Sequence, residues 1–143
     1  MRALILAASA IGALMVAPPA SADPSSSALA YSPPFVAHVF WTSWPQSNQL
    51  RSLQIYPTTT GRAAARQLGS ISPEAGEAWS EVLALAPDAA SPGMHEQFRC
   101  HWDFAEILLP GKPSWNLEPW RPVVDNTTMA NSGCNPGGGG EQF

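Results

Sequence analysis

Of the three histidines in the chain, His101 sits among the richest chemistry. Imidazole titrates near neutral pH, so His101 is the natural candidate for a general acid or base. It needs a carboxylate to orient it. Asp103 is two residues on and would point elsewhere on a helix, whereas Glu118 and Asp125 lie further along, on a segment able to fold back. The catalytic candidates are therefore His101, Glu118 and Asp103. The competing reading is a core histidine bonded to a backbone carbonyl, because His101 falls on an apolar helix face. Catalysis requires an open pocket, with His101 in hydrogen-bond reach of Glu118, Asp103 or Asp125.

Binding chemistry has its own candidates. Arg99 would clamp an anion; alternatively it pairs with Glu96 and Asp103 at helical spacing. Arg121, between Trp120 and Pro122, would stack on an indole or pair with Glu118. Six tryptophans, at positions 41, 44, 79, 102, 115 and 120, are many for so short a chain. Trp41, Trp44, Trp115 and Trp120 are the candidates for a sugar- or protein-binding surface. Closing a small core is the alternative use. No metal site is expected. His95-Glu96 begins like H-E-x-x-H, but position 99 is Arg. No nucleophile elbow or phosphate-binding loop occurs, and no cofactor is implied.

These residues sit in a chain of 143, which points to one domain. Met1-Arg2, the apolar run Ala3–Val16, and Ala20-Ser21-Ala22 are the three parts of a secretory signal, with cleavage between Ala22 and Asp23. The run is too short to span a bilayer, which takes about 20 apolar residues. Cleavage leaves six basic and eleven acidic residues, a net charge of −5 with His neutral. That balance excludes a nucleic-acid partner and disfavours anionic membranes. In an exported chain the only two cysteines, Cys100 and Cys134, are expected to bridge.

Positioning elements follow from pattern. Residues 23–34 read as a Pro/Ser-rich disordered leader. Val36–Trp44 and Arg51–Tyr56 read as a hairpin around a polar loop at 45–49, with Leu53 and Ile55 on one face. Thr60 would cap a helix over Gly61–Leu68. Ser72-Pro73-Glu74 starts a helix that stops at Pro87. Its apolar face is Ala75, Trp79, Val82, Leu83 and Ala86, with Glu74, Glu77 and Glu81 turned away. A third helix, Gly93–Leu108, carries Met94, Phe98, His101, Trp102, Ala105 and Leu108 on one face. Cys100, Phe104 and Ile107 form a second stripe, expected to lie under the Pro/Trp-rich arm that follows. Three Pro in residues 111–122 exclude a helix or a central strand there. Asp125 would cap a short helix over Asn126–Asn131, and 137–143 is a flexible Gly-rich tail.

The runs Gln97-Phe98-Arg99-Cys100-His101, Lys112-Pro113-Ser114-Trp115-Asn116-Leu117-Glu118-Pro119-Trp120-Arg121-Pro122 and Cys134-Asn135-Pro136 resemble a family of small exported bacterial proteins. That family occurs in mycobacteria and other actinobacteria and is classed as a domain of unknown function. The resemblance implies export, a single domain and the Cys100–Cys134 bridge. It implies no activity.

The expectation is an α+β domain over residues 35–136, with a hairpin packed on two or three helices and an irregular arm tied by one disulfide. The leading function is a cofactor-free binding or interaction module of the cell envelope, secreted or periplasmic. Its partner would be a protein or an envelope ligand, and the mature chain would have no transmembrane segment. The alternative is a small secreted hydrolase using His101 with an acidic partner.

Overall fold

The computed structural model describes residues 30–44, 47–67 and 72–138. The expected signal sequence and cleavage site, the expected leader up to 29 and the tail from 139 lie outside the described residues. The elements in chain order are β1 (Val36–Trp44), β2 (Ser47–Pro57), α1 (Thr59–Ala65), α2 (Pro73–Leu85), a 3-10 turn (Pro87–Ala89), α3 (Met94–Leu108), β3 (Trp115–Leu117) and α4 (Asn126–Asn131). The architecture is α+β, with a three-stranded antiparallel sheet of order β1-β2-β3 against the helices.

The hairpin register pairs Val39 with Ile55 and Trp41 with Leu53, so one face is apolar. Leu53 and Ile55 are fully buried on it. The pairing begins at Ser47, ahead of the apolar run, because ladder bonds are made by backbone and tolerate polar side chains. The arm adds a third strand of three residues, which places Leu117 opposite Leu53 and Trp115 opposite Ile55. At the sheet edge, short and flanked by Pro113 and Pro119, it is the strand that a Pro-rich segment can form.

Local capping sets the helices. Thr58, not Thr60, caps α1, its hydroxyl accepting from Gly61 N at 2.9 Å. Gly61 is buried against Phe35, and a Cβ there would lie 2.1 Å from the Phe35 carbonyl oxygen. Ser72 occupies the N-cap of α2 but gives its hydroxyl to Glu74 Oε2 at 2.7 Å. Gly93 is the N-cap of α3, at φ +81, a backbone conformation suited to glycine. Asp125 caps α4 through Thr128 N at 3.0 Å.

Two carboxylates of α2 are not turned away as the periodicity suggests. Glu74 is buried and accepts from the amides of Ala30 and Tyr31. Burial raises its pKa, but the Ser72 hydroxyl and the surrounding amides outweigh this and hold it below the usual value. Glu81 accepts from the amides of Phe35 and Val36, at 2.8 and 2.7 Å. The backbone leading into β1 has free N–H groups that the ladder does not use, and these acids satisfy them. Residues 30–34, the end of the expected leader, are therefore placed against α2.

The core joins Phe35, Leu53, Ile55, Val82, Met94, Phe98, Trp102, Trp115 and Leu117. A smaller cluster of Cys100, Cys134 and Met129 closes α4 onto α3. The Cys100–Cys134 bridge is formed, with the Cα atoms 5.5 Å apart. Cys100 is covered, but Phe104 and Ile107 remain over a third exposed; Leu108, expected on the core-facing side, is instead over half exposed at the end of α3, where the helix runs past the core. Six residues of α4 are too few to roof the whole second stripe.

Candidate functional site

Helix α3 divides the candidate chemistry in two. Toward the core it points Gln97 and His101, both fully buried. Gln97 sits opposite the arm just beyond β3. Its Nε2 donates to the Glu118 carbonyl and its Oε1 accepts from Glu118 N, both at 2.9 Å. A side-chain amide here replaces a missing strand partner. His101 Nδ1 lies 2.8 Å from the Gln97 carbonyl, which can only accept, so Nδ1 carries the proton. Nε2 is then a bare acceptor, buried and without a partner among the described residues. Burial pushes the His101 pKa down to about 4, against the pull of the Gln97 carbonyl, with Lys112 and Arg121 adding to the fall. His101 is neutral at physiological pH and shut off from solvent. No hydrogen bond joins it to Asp103, Glu118 or Asp125.

Glu118 has a different employment. It is buried, accepts from Ser52 Oγ at 2.7 Å, and forms an ion pair with the equally buried Arg121. Arg121 also donates to the carbonyls of Pro136, at 3.1 Å, and Gly138, at 3.2 Å. Its guanidinium lies 4.7 Å from the centre of the Trp120 ring. Both sequence readings of Arg121, stacking and pairing, hold at once. The pair is a clasp that fastens the chain after the bridge to the arm before it.

The tryptophans split likewise. Trp115 is fully buried among Phe98 and Trp102. Trp41 is half-buried at the end of the hairpin; its Nε1 donates to Asp88 at 2.9 Å, and Arg51 lies 4.0 Å over its ring. Trp120 is half-buried and donates to the Arg51 carbonyl at 3.1 Å. Trp41 and Trp120 are thus linked through Arg51 rather than displayed as a free aromatic surface. Trp44 ends β1, and its side chain lies outside the described part. A different aromatic group occupies the outer face of the sheet: His38 stacks on Tyr56 at 4.4 Å, with Phe40 beside both. Strand alternation puts His38 and Phe40 on one face, which was the available signal for it.

The other side of α3 is open. A groove of about 400 Å³ runs between α3 and α4, walled by His95, Glu96, Arg99 and Asp103 and by Asn126 and Ala130. Its floor is Cys100, Met129 and Phe104. His95, Arg99 and Asp103 recur every four residues, so the helix itself lines them up. The Arg99 side chain is 29% exposed, and its contact to Asp103 is 3.7 Å, longer than a strong charge-assisted hydrogen bond. Arg99 Nε makes no hydrogen bond among the described residues. Partial burial raises the Asp103 pKa, with Arg99 pulling the other way. A polar wall with an apolar floor, at this volume, matches small-molecule sites in general. A second depression, about 480 Å³ between residues 33–36 and α2, is apolar except for Glu81. That carboxylate is already committed to backbone amides.

The family model for a protein of unknown function, DUF2599, matches residues 36–137. The chain belongs to the DUF2599 family. An uncharacterised protein of Mycobacterium tuberculosis is 48% identical over 153 aligned residues, covering the whole of both chains. One of Mycobacterium bovis gives the same values. One of Mycobacterium leprae is 48% identical over 104 residues, 73% of this chain and 80% of that one. No solved structure matches the chain. The DUF2599 match begins with β1 and ends one residue before Gly138, so it spans sheet, groove and bridge together. No helix among the described residues is long and apolar enough to cross a membrane.

Proposed function

We propose that the protein is an exported, cofactor-free binding module of the cell envelope, and that its ligand site is the α3/α4 groove. The observation that carries the reading is Arg99. It is a charged side chain on the wall of a groove, partly exposed, and its ion pair to Asp103 is long at 3.7 Å. Every other arginine among the described residues is tied more closely: Arg51 to Asp88, Arg62 and Arg66 to buried Glu106, Arg121 to Glu118. A cation with so long an ion pair, on the wall of a groove, is available to an anionic group that enters it. The hydrolase reading draws no comparable support, since His101 faces the core.

Export rests on residues 1–22 and accords with the bridge, which persists in oxidising compartments. The exported form then begins at Asp23. Intact-mass measurement of the protein recovered outside the cytoplasm checks this, and a form retaining Met1 would refute cleavage. The binding reading is tested by NMR of the full chain against the low-molecular-mass fraction of envelope extract. Resonances of Arg99, Asp103 and Ala130 should move, and filling the groove with Ala130→Trp should abolish the effect. Movement confined to the outer sheet face, or none at all, would overturn it.

A further inference from the structure

Resting on the groove as the binding site, we propose that its ligand is a short zwitterionic peptide, two or three residues long. The carboxylate is held by Arg99, and the ammonium by Glu96 or Asp103. The charge order on the wall is the argument. Arg99 stands between two acids on one helix, three residues after Glu96 and four before Asp103. At the rise of an α-helix these separations are about 4.5 and 6 Å along the axis. These are spacings of helix positions; the side chains close the second gap, with Arg99 Nη2 3.7 Å from Asp103 Oδ2, so the ligand's length is set by the groove volume.

The flanking acids decide among anions. A guanidinium alone would favour a phosphate dianion as much as a carboxylate. With a carboxylate one turn away on either side, a dianion meets repulsion that a ligand carrying its own ammonium turns into attraction. The 3.7 Å Arg99–Asp103 contact is loose enough for a carboxylate to displace. The floor of Met129, Phe104 and the Cys100 sulfur offers a side chain an apolar seat. Asn126, facing from α4, supplies an amide for the peptide bond. The volume of about 400 Å³ admits two or three small residues and little more.

The test uses the full chain and the dipeptide alanyl-leucine, followed by NMR titration at pH 7 and low salt. Resonances of Arg99, Asp103, Asn126 and Ala130 should shift with a saturable profile. Amidation of the dipeptide carboxylate, or Arg99→Gln in the protein, should weaken binding at least tenfold. Acetylation of the amine should do the same. The ligand variants keep the native protein, so the comparison survives even if Arg99→Gln disturbs the helix. Equal binding of the acid and its amide, or inorganic phosphate binding as tightly as the dipeptide, would overturn the proposal. If maltose shifts the groove resonances and the dipeptide does not, the peptide assignment fails while the groove stands as a binding site. If no arm of the test moves the groove, both fail.

Discussion

On helix α3, Gln97 and His101 are separated by one turn, as are Arg99 and Asp103. The first pair faces the arm, is fully buried, and has its geometry dictated by Glu118 and by helix backbone. The second pair faces α4 across a groove, is partly exposed, and touches only at 3.7 Å. Of the three catalytic candidates, His101 and Glu118 lie on the closed side and Asp103 on the open one. The closed side also holds the stretch Trp115–Pro122, whose Trp, Glu and Arg are consumed in holding the arm to the core. The contrast teaches that the most distinctive motif in this chain is scaffold. The chemistry left available stands on a plainer stretch of surface helix.

If the closed side is scaffold, the largest effects should come from its clasp. Arg121→Ala leaves Glu118 buried without its cation and frees the carbonyls of Pro136 and Gly138. Removing one partner of a buried pair costs about 3–5 kcal/mol, and urea denaturation should show a loss of that order. The double variant Glu118→Gln with Arg121→Met should recover much of it, because the uncompensated charge is gone. A loss below about 1 kcal/mol in Arg121→Ala, as expected of an exposed pair, would place the clasp with the surface ion pairs and end the contrast.

The bridge joins the two sides, so it comes next. Cys100 and Cys134 are 34 residues apart, and a loop of that length is worth about 4 kcal/mol in the chain-entropy model. Replacing both by Ser should lower the melting temperature and release α4, taking the groove with it. An equal melting temperature with and without reductant would mean that α4 is held by other contacts.

His101 supplies a pH dependence belonging to the closed side alone. Its pKa is about 4 in the folded protein, against 6.5 for the free side chain. As pH falls, the unfolded chain takes up the proton first. The contribution is complete above about pH 6.5 and is lost progressively toward pH 4, about 3 kcal/mol in all. Stability measured between pH 7 and 4 should fall accordingly, and His101→Leu should flatten that window whatever its effect at pH 7. An unchanged slope in the variant would show that His101 is reached by solvent.

The division was only half legible in the sequence. Helices α2, α3 and α4 announce themselves through local signals: Pro73 after Ser72, the 3.6-residue recurrence from Met94 to Ala105, and Asp125 three residues before Thr128. The bridge was fixed by there being two cysteines. Glu74 and Glu81 were misread because their partners, the amides at 30, 31, 35 and 36, lie more than forty residues away, and periodicity sees one element at a time. Gln97 carried a signal, a polar residue one turn before His101 on an apolar face, but its partner on the arm appears only once β3 is laid on β2. The groove was hidden for the same reason. Arg99 was identifiable as a candidate clamp, yet the opposing wall of Asn126 and Ala130 is placed by the disulfide and by Met129.

The smallest expected stability effect carries most weight for function. Arg99→Ala removes a partly exposed side chain whose ion pair to Asp103 is long, so the unfolding free energy should change by no more than about 0.5 kcal/mol. The same substitution should abolish ligand-induced shifts at Asp103 and Ala130. A residue that matters for binding and hardly for folding is what the open side of α3 requires. If Arg99→Ala instead cost about 2 kcal/mol or more, as for a buried hydrogen-bonded charge, Arg99 would join His101 and Arg121 as scaffold. The groove would then be a seam between α3 and α4 rather than a place for a ligand.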